Sequence, residues 1–433
     1  MTSPNNILLT FYGDDFTGST DALEFISKAG AKAMLFIEPP TVEQLKQYPE
    51  LEVIGIAGKT RALPTAEMEL ALNDAFGKIK NYNSRHVHYK VCSTFDSAPH
   101  IGSIGKAIDC GASIFENKLT PVLGGAPSLG RYCVFGNLFA RMGIGSNGAI
   151  YRLDRHPSMS KHPVTPSDES DLRLHLSKQT DKKFALIDVV QLERPVTEWH
   201  HSINDEEVVL IDTLQEAQLE KIGEWLNNEV KGQTIFSVGG SGIETALGAD
   251  WNKTGRLKKK TDWPTIDAVQ PLLVVSGSCS PVTKKQIEFA KSVGFEEIVI
   301  DALKVCNEGL SAKVVEEVSK ILAEKKSVIV HTGDKNGANL SSEKLGTALG
   351  MVAKEAVVKN NLKRVVVAGG DTSSYAARAL EIDAVEMIAP LVAGAPLCKA
   401  HSANQKINAL EVNFKGGQVG SENYFEILRR GKL

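Results

Sequence analysis

Short apolar, β-branched runs alternate with amphipathic stretches along the whole chain, and this rhythm restricts what it can fold into. Ile7–Tyr12, Val53–Ala57, His86–Val91, Phe184–Val190 and Val208–Ile211 read as strands, separated mostly by segments of helical spacing. Such alternation predicts parallel sheets covered by helices on both faces. The rhythm breaks between Asp250 and Gln270, where Gly255-Arg256-Leu257-Lys258-Lys259-Lys260-Thr261-Asp262-Trp263-Pro264 is charged and ends in a helix-disfavouring proline. It restarts with Leu272–Ser276, Glu297–Ile300, Ser327–His331, Arg364–Ala368 and Ala384–Ile388, with helical spacing over Val282–Ser292 and Lys313–Lys325. A chain of 433 residues exceeds what one core usually organises. The expected fold class is α/β: two three-layer α/β/α domains with mostly parallel sheets and ligand sites in the cleft between them. Residues 1–250 form the first domain, 251–270 a linker and 271–433 the second.

Charge and composition narrow the partners. A net charge of −3 offers no basic field for nucleic acid, and no stretch approaches the ~18 apolar residues of a membrane span. A small-molecule partner is expected, in a protein acting alone or as a homodimer. The start, Met1-Thr2-Ser3-Pro4-Asn5-Asn6, lacks the basic and apolar regions of a signal peptide, so a cytoplasmic location is expected. The six cysteines form no C-x-x-C pair, which points to free thiols rather than zinc or disulfides.

Three polar clusters follow strands of the first half. In a parallel sheet such loops lie at the carboxyl edge, where ligands bind. The first is Gly13-Asp14-Asp15-Phe16-Thr17-Gly18-Ser19-Thr20-Asp21, before a helix read at Ala22–Ala29. Asp14 and Asp15 could orient substrate hydroxyls, hold a metal or accept a proton; alternatively one of them only caps the helix. One cap does not need two adjacent acids, which favours function. The second holds Lys90, Ser93, Thr94, Asp96 and Ser97, the mixture of cation, hydroxyls and carboxylate that a polyhydroxylated acid requires, or else a turn capping a helix near Gly102. The third, Gly58-Lys59-Thr60-Arg61, offers guanidinium and ammonium groups to a carboxylate, or two solvated cations. The segment Tyr151 to Thr180 is irregular and too long for an ordinary connection, hence a functional loop or a disordered insertion; from Ser167 onward it resembles a capped helix start.

In the second half, Ser276-Gly277-Ser278-Cys279-Ser280, Thr332-Gly333-Asp334 and Gly369-Gly370-Asp371-Thr372-Ser373-Ser374 follow strands, and Lys415-Gly416-Gly417-Gln418-Val419-Gly420 reads as a glycine backbone open to close approach, or a hairpin. Backbone N–H groups at helix starts with Ser and Thr hydroxyls form phosphate cradles. Each turn alone is an ordinary connection; the set favours a phosphate-bearing nucleotide, with Ser278 and Gly417 among the candidate contacts. No G-x-x-x-x-G-K-[ST] loop is present, and the turn after the first strand is not G-x-G-x-x-G, which makes dinucleotide binding there unlikely.

In order and spacing, Asp14 to Asp21, Lys90 to Ser97, Gly369 to Ser373 and Lys415 to Gly420 resemble the four-carbon acid sugar kinase family across nearly the whole chain. The resemblance implies an N-terminal domain for a tetronate-like acid, a C-terminal domain for ATP with Mg²⁺, and transfer of the γ-phosphoryl group to the terminal hydroxyl. It implies substrate contacts from Asp15, Arg61, Lys90 and Ser93, to which the residue types add Asp14 and Asp96, and nucleotide contacts from Ser276, Gly369, Gly370, Asp371, Thr372 and Gly416; it makes Asp15 the candidate to orient or deprotonate the hydroxyl. The chain departs from the family run Asp-Ser-Thr-Leu-Arg-Gly at Cys92-Ser93-Thr94-Phe95-Asp96-Ser97, which has no arginine. The stretch Leu153-Asp154-Arg155-His156 to Pro166 is similar to a subgroup acting on branched acid sugars such as 3-oxo-isoapionate. Doubly wound halves alone would also permit a nicotinamide-dependent dehydrogenase or a two-lobed sugar-binding module.

Overall fold

The computed structural model describes residues 7–142, 148–333 and 340–431. The chain divides into two compact units. One holds the described residues up to Ala33 together with Pro39–Lys260, and the other holds Met34–Glu38 with the described residues from Thr261 onward.

The first unit is built on seven parallel strands in the order Val53–Ala57, Leu9–Gly13, His86–Lys90, Ile235–Gly239, Thr120–Leu123, Val208–Ile211 and Phe184–Ile187. The central strands are buried along their full length, as expected of strands covered on both faces. Phe76, on the helix Thr65–Lys80, sets its ring 6.0 Å from Tyr12, 6.3 Å from Tyr89 and 5.5 Å from Phe236. One aromatic therefore locks three neighbouring strands in register, each such pair contributing about 0.5–1.5 kcal/mol beyond area burial. After Thr120–Leu123 the chain forms a small antiparallel sheet of Arg131–Val134, Asn137–Arg141 and Ile150–Arg152.

In the second unit Glu296–Val299, Val328–His331, Leu273–Ser276, Arg364–Ala368 and Glu411–Lys415 run parallel, and Ala395–His401, Ala384–Val392 and Ala33–Phe36 continue the sheet antiparallel. The last of these strands arrives from far upstream in the sequence. Ile37 N–H donates to the carbonyl of Asp383, and Glu38 pairs with Arg378 at 3.1 Å, fixing the C-terminal end of the segment.

Several details differ from the sequence expectations. The first helix spans Phe16–Lys28, so it opens six residues before Ala22, because the Asp15 side chain caps it. The helix Ile104–Ile114 is capped by Ser103, which leaves Ser93 to Ser97 free of that task. The helix Gly242–Lys253 runs through Asp250, and the basic stretch after it packs within the first unit, where Lys260 N–H donates to Lys28. Residues 151–180 are two short turns and the helix Leu172–Ser177, whose cap is Asp171. None of the six cysteines is in a disulfide. No helix among the described residues is long and apolar enough to cross a membrane.

Candidate functional site

At the carboxyl edge of the first sheet, the backbone of Asp14 ties three strand ends together. Its N–H donates to the carbonyl of Lys90 at 2.8 Å, and its carbonyl accepts from Arg61 N–H at 3.1 Å. Asp14, Asp15, Arg61 and Lys90 are thereby gathered, although Arg61 lies 46 residues from Asp15 in sequence and Lys90 further still.

The two acids have opposite environments. Asp15 accepts from Gly18 N–H at 2.7 Å and from the Thr17 hydroxyl at 2.8 Å, and it pairs with Arg61. Burial acts to raise its pKa, but Arg61, Thr17 and Gly18 overcome this and hold the carboxyl below the usual range. Asp14 is buried; its Oδ2 has only a long contact, 3.4 Å from Cys92 N–H, and its Oδ1 has no hydrogen-bond partner. Burial pushes its pKa up to about 7, against the pull of Arg61 and Lys90. Asp14 is thus the acid poised to take up a proton near neutrality, and Asp15 is a fixed anion that caps a helix.

Lys90 is buried, donates to the Val91 carbonyl at 3.0 Å and lies 3.7 Å from Asp21, which in turn accepts from Ser241. Burial works against its charge, but Asp21, Glu244 and Asp14 raise its pKa, so it stays an ammonium. Gly18 lies close against these groups. A Cβ there would stand 2.6 Å from Asp15 Oδ1, 3.3 Å from Lys90 Nζ and 3.8 Å from Asp14 Oδ1. Only a residue without a side chain lets the backbone come this near to both acids and the ammonium.

Ser93 and Asp96 lie further along the same loop. Asp96 accepts from Thr94 at 2.7 Å, and the Ser93 hydroxyl accepts from Arg131 Nε at 3.2 Å. The loop is backed by the 151–180 segment, since a small pocket joins Thr94–Ser97 to Leu153, Thr165 and Leu172, and His175 Nε2 meets the Ser97 hydroxyl at 2.9 Å. Lys59 is exposed, and Thr60 is spent on the Tyr89 hydroxyl at 2.8 Å. Arg131 was not singled out in the sequence: its strand starts eight residues after Leu123, and the Gly124-Gly125 pair ending that strand is the signal that could have found it.

The second unit shows the same convergence. Gly277 N–H donates to Ala368, Gly369 N–H to Lys415 and Thr332 N–H to Ser276, so adjacent strand ends are stitched together. A Cβ on Gly277 would lie 2.3 Å from Thr372 Oγ1, and one on Gly417 would lie 2.7 Å from Ser278 Oγ. The loops of Ser276–Ser280, Gly369–Thr372 and Gly416–Gly417 therefore form one cradle of small residues, with Asp371 exposed on the first turn of the helix Gly370–Ala379. Thr332 presents a buried hydroxyl with no partner among the described residues, while Asp334 lies outside them. Gly369 has φ of 124°, a conformation open only to glycine. Gly369→Ala is expected to lose on the order of 1–3 kcal/mol of stability to this strain, read from urea unfolding.

Beneath the cradle, Lys415 is fully buried. Its Nζ donates to Thr283 Oγ1 at 3.0 Å, and Thr283 donates to the Gly417 carbonyl at 2.8 Å. No carboxylate among the described residues pairs with it, and burial lowers its pKa to about 7.

A polar site of acids, cations and hydroxyls in one unit and a glycine–hydroxyl cradle in the other are the features of an enzyme that phosphorylates a small polar molecule. Residues 9–247 match the sugar-binding N-terminal domain family, and residues 273–425 match the nucleotide-binding C-terminal domain family. The chain is 41% identical to the 3-oxo-isoapionate kinase of Paraburkholderia graminis, covering 99% of this chain and 96% of that protein. It is 26% identical to the 3-oxo-tetronate kinase of Cupriavidus necator, with 97% and 96% covered. A solved structure from Salmonella typhimurium LT2 shares the fold, with a TM-score of 0.76 at 23% identity over 97% of this chain and 98% of that one. The chain belongs to the four-carbon acid sugar kinase family.

Proposed function

We propose that the protein transfers the γ-phosphoryl group of ATP to a hydroxyl of a branched acid sugar of the 3-oxo-isoapionate type. The observation that carries the choice of substrate is the 41% identity to a kinase of that name across essentially the whole chain, against 26% to the 3-oxo-tetronate kinase.

In this reading Asp14 accepts the proton of the attacking hydroxyl, because it alone of the two acids has a free oxygen and an affinity for protons matched to neutral pH. Asp15 stays an anion, held by Arg61 and the helix start, and orients the substrate's hydroxyls. Lys90 stabilises the negative charge that grows on the attacking oxygen. In the second unit the backbone N–H of Gly370 at the helix start, with the hydroxyls of Ser276, Ser278 and Thr372, cradles the phosphates. Asp371 is an exposed oxygen donor of the kind Mg²⁺ takes beside phosphate, and Mg²⁺ held there would neutralise phosphate charge. Catalysis is then mostly positioning and electrostatics, as in other phosphoryl transfers. A cytoplasmic location fits the supply of ATP.

An ADP-release assay with ATP and 3-oxo-isoapionate, D-threonate, D-erythronate and 3-oxo-tetronates tests the proposal. The highest kcat/KM is expected with the branched acid. Equal or better turnover of a tetronate would overturn the choice of substrate, and no ADP release with any acid would overturn the kinase reading.

A further inference from the structure

Two of the cations expected to grip the substrate's carboxylate are already engaged, and the third, Lys59, is exposed. Arg61 is paired with Asp15, and Lys90 with Asp21 and the Val91 carbonyl. Arg131 is not. It is 7% exposed, and no carboxylate among the described residues lies within ion-pairing distance. Arg364, the other arginine of the described chain buried beyond nine-tenths, is paired with Glu411.

Arg131 is held like a receptor. Its Nη1 donates to the carbonyls of Leu129, Gly130 and Arg141 at 3.1, 3.3 and 3.2 Å, and its Nε donates to Ser93 Oγ at 3.2 Å. These bonds fix the plane of the guanidinium and leave Nη2 with no hydrogen-bond acceptor among the described residues. The fixed fork suits a carboxylate, and burial without a counter-ion leaves a charge that an anion would relieve. Its strand leaves the sheet beyond Thr120–Leu123, on the carboxyl edge that also carries the Ser93 loop. The guanidinium that the run Cys92 to Ser97 lacks is therefore supplied from a different element.

We propose that Arg131, with Ser93 beside it, receives the substrate's carboxylate and so makes the enzyme select acids over neutral sugars. This assignment rests on the acid-sugar reading of the same site.

The test compares 3-oxo-isoapionate with its primary amide, by ligand-induced shifts in melting temperature without ATP and by ADP release with it. The wild-type protein is expected to prefer the acid by on the order of a hundredfold. Arg131→Met is expected to weaken acid binding by a similar factor, to bring the acid-to-amide ratio near one, and to leave the KM for ATP unchanged. Arg131→Lys restores charge without the fork and recovers only part of the preference. Should Arg131→Met melt far below wild type, Ser93→Ala replaces it: this leaves the carbonyl bonds intact, and a severalfold fall in the acid-to-amide ratio is expected. A folded Arg131→Met chain, or failing that a Ser93→Ala chain, that keeps the wild-type ratio overturns the assignment, as does a wild-type protein that binds acid and amide alike. Acid-selective binding that depends on Arg131 but yields no ADP would overturn the kinase reading and leave the assignment standing.

Discussion

Replacing Asp14 by asparagine is expected to lower kcat by about 10²–10⁴-fold, the range for loss of a general base, with ATP binding unchanged. The same change is expected to stabilise the fold. Asp14 has its pKa raised by burial to about 7, above the ordinary 3.8 of the unfolded chain. Between these values the folded state holds the extra proton, so stability falls as pH rises through the window, and the cost of the buried charge is fully present above about pH 7. The Asp14→Asn chain should therefore melt above wild type at pH 8 and match it near pH 4. The wild-type kcat should rise with pH and level off above about 7. A variant at pH 8 with wild-type kcat would remove Asp14 from proton transfer.

Lys415→Met is expected to weaken ATP binding on the order of 10–100-fold, and the mechanism can be read from protons rather than from activity. With its pKa lowered by burial to about 7, Lys415 is mostly neutral at pH 8 in the free protein. If it serves the phosphates, their charge draws a proton onto it, so ATP binding at pH 8 should take up as much as about one proton. Titration calorimetry in buffers of different ionisation enthalpy measures this uptake, and Lys415→Met should abolish it. The sign for stability is opposite to that of Asp14 in its dependence on pH. Here the unfolded chain holds the extra proton between about 7 and 10.5, stability rises with pH across that range, and the methionine variant gains most below pH 7. Unchanged proton uptake in Lys415→Met would show that Lys415 serves only to hold Thr283 and the Gly417 loop.

The strands that could be read from sequence were those made of long β-branched runs, such as Val53–Ala57 and Arg364–Ala368. Those that could not were short or mixed. Thr120–Leu123 contains a proline, Ile235–Gly239 ends in glycine, and Ala395–His401 carries a proline, a lysine and a histidine, so their burial comes from tertiary context rather than from pattern. The acids and glycine turns of the site were legible because they follow strong strands. Arg131 was not, because its strand is a secondary hairpin whose position depends on Thr120–Leu123. The different fates of Asp14 and Asp15 were also hidden, since adjacent residues of one type differ here only in which of them meets the helix start and Arg61.

The strand Ala33–Phe36 separates the order of the chain from the order of its units. Residues 34–38 leave the first unit, join the second sheet and return, so the second unit depends on a stretch that gene truncation at the basic segment would assign to the first. A fragment starting near Thr261 would expose the hydrogen-bonding edge of Ala384–Val392 and invite another chain to fill it. Swapping nucleotide halves between relatives by a single crossover would likewise carry a mismatched edge strand. An exchange of the nucleotide half of this chain must therefore carry residues 34–38 together with the stretch from Thr261 onward.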